Sequence, residues 1–325
     1  MRIGYIGNFN PEFSTENDVR KAFEHLGHSV VQIQENSGHA GQQALDLVMQ
    51  KQISMLLITS TWDDAISADM WSEIMYRAAL AEIPTVTYHL DVFWGSDRGS
   101  RRWWTNPMFK SAYVFTASND WQKDWKLMGV NHQWLRPAVR HDAAHKGTYR
   151  ASYDCDVAFV GSNGIGYHEG VWSYRRELVD ALRDMCRRNG WTWRNPGGDD
   201  PKVERNIDRN DFYASARVTV GDSLCLKKDK SEYCSDRAYE ATGCGGFLIM
   251  PQLDFLASDY DNNLPMYKWG DFLDLEKKIT FWLDNESERL KVQDKCHNIV
   301  VKNHTYVNRV QEILKRIGLD HAETA

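Results

Sequence analysis

The residues with the most chemistry to offer lie between positions 232 and 246, in the run Glu-Tyr-Cys-Ser-Asp-Arg-Ala-Tyr-Glu-Ala-Thr-Gly-Cys-Gly-Gly. Ser235 or Asp236 can cap a helix that carries Arg237 in its first turn and Glu240 one turn on. Three positions apart, Arg237 and Glu240 share a face. They read either as part of a ligand site or as a surface ion pair ahead of a helix-ending glycine cluster. A second candidate is Tyr88-His89-Leu90-Asp91, where a histidine and a carboxylate two apart at a strand end can orient a proton acceptor for an incoming hydroxyl. A satisfied structural histidine is the plainer alternative there.

Three further places follow apolar runs. Gly7-Asn8-Phe9-Asn10 leads to a helix start at Thr15, where backbone can approach a ligand and the helix can hold an anion. The run lacks G-x-G-x-x-G, so a dinucleotide fingerprint is absent. Gly161-Ser162-Asn163-Gly164 precedes a segment bearing Arg175 and Arg176, and small residues there suit a phosphate-bearing ligand. Gly221-Asp222-Ser223 can line the same pocket, and Lys227, Lys228 and Lys230 can meet a diphosphate, although a lysine run is more often solvated surface. Each of the three is also compatible with an ordinary turn.

The elements that must position these groups alternate strand and helix. Residues 2–7 read as a strand. Val19, Ala22, Phe23 and Leu26 then fall at helical spacing behind a cap at Ser14 or Thr15 and ahead of Gly27. Strands over 29–33, 55–59, 85–89 and 113–117 are interleaved with helices over about 40–51, 66–82 and 120–128. A polar, small-residue stretch from Pro137 to Tyr153 reads as a linker. The alternation resumes with strands over 157–161, 191–193, 217–221 and 246–250 and helices over about 170–189, 208–216 and 233–243. Helical stretches over about 271–284, 286–302 and 305–317 close the chain. This spacing predicts α/β architecture with parallel sheets in two Rossmann-like domains, and ligands in such sheets gather at the carboxyl ends of strands.

Length and composition agree with that reading. At 325 residues the chain suits two domains, and 42% hydrophobic with 26% charged residues is the balance of a globular protein. Arg2 passes at once into an apolar strand, no apolar run approaches membrane-spanning length, and the cysteines show no metal-like spacing. The expectation is a soluble protein of the cytoplasm with reduced thiols. A net charge of −6 offers no long-range attraction for nucleic acid. The segment from Arg98 to Lys110, with Arg101, Arg102, Trp103 and Trp104, is nevertheless basic and aromatic enough to touch one.

The stretch from Tyr233 to Pro251 resembles the donor-binding segment of CgeB-like glycosyltransferases, members of the two-Rossmann GT-B group. Tyr5-Ile-Gly-Asn-Phe, Ser14-Thr-Glu-Asn17 and Phe23-Glu-His-Leu-Gly-His28 look like that family's opening. Pro84 to Asp91, Phe159-Val-Gly-Ser162 and His304 to Arg309 are similar to later segments, in the family's order. The resemblance implies two Rossmann-like domains facing each other across a cleft. Residues 1–140 would be the acceptor domain and 141–325 the donor domain, with the last helix packing back on the first. It implies transfer of a sugar from a nucleoside-diphosphate sugar to an acceptor hydroxyl, without cofactor or obligatory metal. Glu240 matches the glutamate that grips the donor's ribose. Glu232, eight residues earlier, has the spacing of a catalytic partner, although the residues between depart from the family pattern. Gly161, Ser162, Asp222, Ser223, Ser235, Asp236 and Arg237 fall on the donor side. Gly245 and Gly246 would let backbone approach the diphosphate, and Arg175 and Lys227 are candidates for its cationic partners. His89 or Asp91 would stand nearest the reacting hydroxyl, with Gly7, Asn8, Phe9 and Thr15 on the acceptor side. A sugar-nucleotide epimerase or hydrolase of the same fold, or a non-catalytic binding or coat-associated protein, are the alternatives. The acceptor stays open among glycan, protein, small molecule and modified DNA.

Overall fold

The computed structural model describes residues 1–10, 12–59, 66–91, 107–163, 173–201, 208–223 and 231–320. The chain divides into one unit of Met1–Arg136 with Tyr306–Ala325 and a second of Pro137–Thr305.

The first unit is a parallel sheet in the order β2-β1-β3-β4-β5-β6. Its strands are β1 (Arg2–Gly7), β2 (Ser29–Gln34), β3 (Met55–Ile58), β4 (Thr85–His89), β5 (Tyr113–Thr116) and β6 (His132–Trp134). Every residue of β3 and β4 is buried, as the unbroken apolar run Met55-Leu-Leu-Ile requires of a strand covered on both faces. Helix α1 (Thr15–His25) shows how the local rules combine. Ser14 Oγ accepts the Asn17 amide, which is worth about 1 kcal/mol. Val19, Ala22 and Phe23 are fully buried. Gly27 adopts φ +81 at the end, and the His28 amide reaches back to the Phe23 carbonyl, a left-handed stop that glycine takes without strain. Helices α2 (Ala40–Met49), α3 (Ala68–Leu80) and α4 (Gln122–Leu127) complete the β-α alternation. Because β2 lies on one side of β1 and β3 on the other, the chain reverses direction across the sheet there. The loop after β1 therefore lies at the switch point of this sheet.

The second unit repeats the device with five parallel strands in the order β11-β10-β9-β7-β8. These are β7 (Cys155–Ala158), β8 (Trp193–Arg194), β9 (Ala216–Val220), β10 (Leu248–Pro251) and β11 (Met266–Tyr267). Its helices are α5 (Ser173–Asn189), α6 (Asp208–Ser215), α7 (Arg237–Gly243), α8 (Asp254–Asp259), α9 (Phe272–Asp284) and α10 (Glu286–Asn303). Here the reversal falls between β7 and β9, so the turns at Gly161 and Asp222 flank the switch point. The closing helix α11 (Tyr306–Arg316) packs on α1 in the first unit. Arg309 Nε donates to the Arg136 carbonyl at 2.8 Å, and the Tyr88 hydroxyl donates to the same oxygen.

Several elements differ from expectation. The chain divides at 136/137 rather than 140/141, and residues 137–153 are bound into the second unit instead of running free. Asn210 Nδ2 donates to the carbonyls of Ala143 and His145 at 2.9 and 2.8 Å, and Asp211 accepts the Thr148 amide at 2.7 Å. Helix α7 begins at Arg237 rather than 233. It starts on backbone carbonyls, Ser235 O accepting from Ala238 N and Asp236 O from Tyr239 N, and Asp236 makes no side-chain cap. Strands β6 and β11 and helix α8 were not read from the sequence, and β8 begins at Trp193 rather than 191.

Candidate active site

The carboxyl end of β9 delivers Asp222 into the second unit, where its side chain is 1% exposed. A carboxylate there must be paired. Arg175, on the first turn of α5, supplies a two-point grip, with Nε on Oδ2 at 2.6 Å and Nη2 on Oδ1 at 3.2 Å. Arg175 Nη1 also donates to Ser162 Oγ at 3.2 Å, tying the turn after β7 to the same carboxylate. Arg237, the first residue of α7, approaches from the other side, with Nη1 on Oδ1 at 3.0 Å. Burial works to raise the Asp222 pKa, but Arg175 and Arg237 outweigh it and hold the carboxyl below its usual range. Among the described contacts, the cluster is two guanidiniums around one carboxylate at the carboxyl end of β9.

The two arginines are not equivalent. Arg175 is 4% exposed and donates to both Asp222 and Ser162. The Arg237 side chain is 17% exposed, and among the described residues its one hydrogen bond is the Nη1 contact with Asp222. Both guanidiniums lie 5.8 Å from the Phe159 ring centroid, a cation–π contact that fixes their planes. Gly161 holds φ +141, and a Cβ there would stand 3.0 Å from Arg237 Nη2. The glycine thus gives the arginine its room and leaves one guanidinium edge beside bare backbone.

One turn along α7 from Arg237, Glu240 is also buried and pairs with Arg209 of α6, Nη1 to Oε1 at 2.6 Å. The two side chains are 4% and 7% exposed. Burial disfavours the Arg209 charge, yet Glu240 more than offsets it and the guanidinium pKa stands above its ordinary value. Tyr213, fully buried, lies in the field of Glu240, Arg209 and Arg237, and its hydroxyl has no hydrogen-bond partner among the described residues. Ser235 Oγ likewise has none.

In the first unit the turn after β1 is pinned rather than open. Phe9 N donates to Gln34 Oε1 at 2.8 Å, Asn17 Nδ2 to the Phe9 carbonyl at 2.9 Å, and Gln34 Nε2 to Asn8 Oδ1 at 2.9 Å. A Cβ at Gly7 would come within 2.9 Å of Glu16 Cγ, so the glycine admits this buried carboxylate to the strand end. Thr15 is the half-buried first residue of α1. His89 ends β4 and is 6% exposed, its ring edge-on to Phe109 at 5.7 Å. Burial lowers its pKa to about 4, so at neutral pH it is an uncharged imidazole and a weak proton acceptor. Asp91, two residues on, is half-buried and closes the described part of that segment.

Residues 154–315 match a family described as glycosyl transferase-like. This stretch, just under half of the chain, is similar to that family. Among curated proteins, none is significantly similar to the chain. Among solved structures the chain resembles a glycosyltransferase from Rickettsia africae ESF-5, at 11% identity over 100% of this chain and 99% of that one, with a TM-score of 0.62. It also resembles S. aureus MnaA solved with UDP, at 10% identity over 100% and 98%, TM-score 0.54. A TarM mutant from S. aureus, solved with fondaparinux, α-GlcNAc-glycerol and UDP, aligns at 9% identity over 87% and 59%, TM-score 0.55. At these identities the likeness is one of fold, namely parallel-sheet α/β units in two domains, as in GT-B enzymes.

Within the matched stretch, the structure gathers Gly161, Ser162, Arg175, Asp222 and Arg237 into one hydrogen-bonded cluster and sets Glu240 one helical turn away. Ser223 is fully buried beside Asp222, and Asp236 is half-buried at the start of α7. Glu232 is exposed, unlike Glu240. Gly245 and Gly246 stand elsewhere. They precede β10, at its amino end, where a Cβ would meet Lys146 or the Ala241 carbonyl and Tyr213. They are close-packing glycines at the end of the sheet opposite Asp222. Lys227, Lys228, Lys230, Gly164 and the segment 98–106 lie outside the described residues. Arg209 escaped the sequence reading, since a run of Asp-Arg-Asn-Asp looks solvated; its burial is visible only once α6 is docked.

Proposed function

We propose that this chain is a glycosyltransferase of CgeB-like type that moves a sugar from a nucleoside-diphosphate sugar to an acceptor hydroxyl. The observation that carries the reading is the Arg175–Asp222–Arg237 cluster at the carboxyl end of β9, within the matched stretch. In transfer, the bond from the anomeric carbon to the diphosphate oxygen breaks and a bond to the acceptor oxygen forms. The acceptor proton passes to a base, and the nucleoside diphosphate departs with the bonding pair. Negative charge therefore grows on the leaving phosphate. Arg237, whose Nη2 lies beside Gly161, is proposed to meet it, and a well-placed donor of this kind is worth about 3 kcal/mol in the transition state. Arg175 holds Asp222, and Asp222 holds Arg237, so the cation is oriented before the donor arrives. Glu240 takes the ribose hydroxyls by charge-assisted hydrogen bonds. The guanidiniums supply the leaving-group charge stabilisation, so the reaction is proposed to run without a metal or cofactor.

On the acceptor side, Asp91, half-buried at the end of its described segment, is proposed as the base. His89 is buried and hard to protonate, which suits it to positioning rather than proton transfer. The cytoplasm is the proposed location.

The test is release of nucleoside diphosphate from a panel of nucleotide sugars, with EDTA or with added magnesium. Slow release with water as acceptor, undiminished by EDTA and abolished in Arg237→Ala, is expected. No release from any donor, with no binding, would remove the transferase reading and favour a non-catalytic protein. Rapid acceptor-independent release of free sugar would point instead to a hydrolase of this fold.

A further inference from the structure

Resting on the proposed donor site, the way the Gly161 turn is held points to a residue outside the charged cluster. Strand β7 pairs with β8 in parallel register, Val157 against Trp193 and Ala158 against Arg194. The ladder runs on past both strands, with Phe159 N donating to the Arg194 carbonyl at 3.0 Å and Gly161 N to the Pro196 carbonyl at 2.8 Å. In a parallel ladder of this register the Phe159 carbonyl would take its bond from the backbone N–H of residue 196. Residue 196 is a proline and has none. Its neighbour Asn195, fully buried, supplies the donor from its side chain. With the amide nitrogen turned to the two carbonyls, Asn195 Nδ2 donates to Phe159 O at 2.9 Å and to Gly161 O at 2.8 Å. Asn195 is itself pinned. Asp200 Oδ2 accepts its backbone N–H at 2.6 Å, and its carbonyl takes the N–H groups of Gly198 and Asp200, each at 3.0 Å. A Cβ at Gly198 would come within 2.7 Å of Asn195 Cγ, so this glycine leaves the amide its place.

We propose that Asn195 is a positioning residue for the phosphate end of the donor site: standing in for the rung that Pro196 cannot supply, its amide holds the Phe159 and Gly161 carbonyls and so keeps the Gly161–Ser162 turn in place against Arg237 and Arg175. A Cβ at Gly161 would stand 3.0 Å from Arg237 Nη2, and Ser162 Oγ accepts from Arg175 Nη1 at 3.2 Å, so a shift of this turn reaches both cations. Asn195 acts through the backbone of the turn. A buried carbonyl left without its donor is costly, and the backbone moves to find another. An ordinary residue in place of Pro196 would restore the Phe159 rung alone and leave the Gly161 carbonyl to the side chain.

The test sets diphosphate affinity against stability. Calorimetry with pyrophosphate, UDP, ADP, GDP and CDP, alongside thermal melts, compares the parent with Asn195→Ala and Asn195→Ala/Pro196→Ala. The single variant should melt about 4 °C or more below the parent. It should bind the tightest of these ligands about 10- to 100-fold more weakly, the scale of a misplacement of about 1 Å. The double variant regains a backbone N–H for the Phe159 rung but not a donor for the Gly161 carbonyl. Its melting temperature should return to within about 2 °C of the parent, with affinity still down about tenfold. Gly198→Ala crowds the amide from its other side and should also weaken diphosphate binding, which keeps the proposal open to refutation if Asn195→Ala fails to fold. Affinity unchanged in both Asn195→Ala and Gly198→Ala, or restored together with the melting temperature in the double variant, overturns the proposal and leaves the donor site standing. No binding of pyrophosphate or of any nucleotide by the parent removes the donor site and this inference with it.

Discussion

Replacing Asp222 with asparagine keeps the shape of the side chain at the centre of the cluster and deletes its charge. In the native arrangement the carboxylate contacts Arg175 at 2.6 and 3.2 Å and Arg237 at 3.0 Å while 1% exposed. With charge centres about 4 Å apart and an effective dielectric near 20, each guanidinium gains about 4 kcal/mol from the carboxylate. Part of that gain repays the cost of burying Asp222, so the net loss falls in the range of about 3–5 kcal/mol found when one partner of a buried pair is removed. For a domain of this size such a loss lowers the melting temperature by about 10 °C. Two guanidiniums left without their internal anion should also bind an external one more avidly. Thermal melts of Asp222→Asn and the parent, with and without millimolar pyrophosphate, read both effects. The variant should melt well below the parent, and pyrophosphate should narrow the gap. The acid limb gives a further check. Because the folded pKa of Asp222 lies below the unfolded value, its contribution is complete above about pH 4 and is lost as pH falls through the folded pKa. The asparagine variant should lack that part of the acid loss. A variant melting within about 2 °C of the parent, with no differential response to pyrophosphate, would refute the reasoning.

Two further outcomes follow from the same structure. His89, with a folded pKa of about 4 against about 6.5 unfolded, gives stability that is complete above the unfolded value and drains away as pH falls from there toward 4, about 3 kcal/mol in all. Urea titrations at pH 5 and pH 7 should show His89→Phe losing less stability between the two than the parent; an equal loss would mean that the ring is not titrating as a buried group. Gly161→Ala would strain a backbone at φ +141 and set a methyl 3.0 Å from Arg237 Nη2. Nucleoside-diphosphate affinity should drop about tenfold or more, in keeping with roughly 1–3 kcal/mol of local strain and a displaced guanidinium; unchanged affinity would place the phosphate elsewhere.

Much of the fold was legible because strands buried on both faces must be apolar throughout, as in Met55 to Ile58, and helices of the first unit carry plain 3.6-residue periodicity, as in Val19 to Phe23. Strands of two or three residues, such as β6 and β11, carry no period at all and exist only through pairing with a neighbour. The linker reading failed for a related reason. A polar, glycine-containing stretch looks unattached until Asn210 and Asp211, far along the chain, are seen to take up its backbone groups. At the site, the rule that ligands gather at strand ends nominated Gly161, Asp222 and Arg237 one by one. Their coupling through a shared carboxylate was beyond any local signal, since Arg175 and Asp222 are 47 residues apart. Gly245 and Gly246 show the converse. A glycine pair suggests backbone approach to a ligand, but the same residues here make room for Lys146 and Tyr213. Arg209 and the buried Glu16 and Glu35 had no such flag, because a charged residue in a helix or turn reads as solvated until its burial is seen.

The central claim is a nucleoside-diphosphate site at the carboxyl strand ends of the second unit, with Arg237 facing the phosphates. Calorimetry of the nucleoside diphosphates against the parent and Arg237→Ala, in EDTA, tests it most directly. The account predicts saturable binding of at least one nucleotide to the parent, weakened about 100-fold in Arg237→Ala, the equivalent of about 3 kcal/mol. Equal affinity in the two proteins, or no binding to the parent, would contradict it.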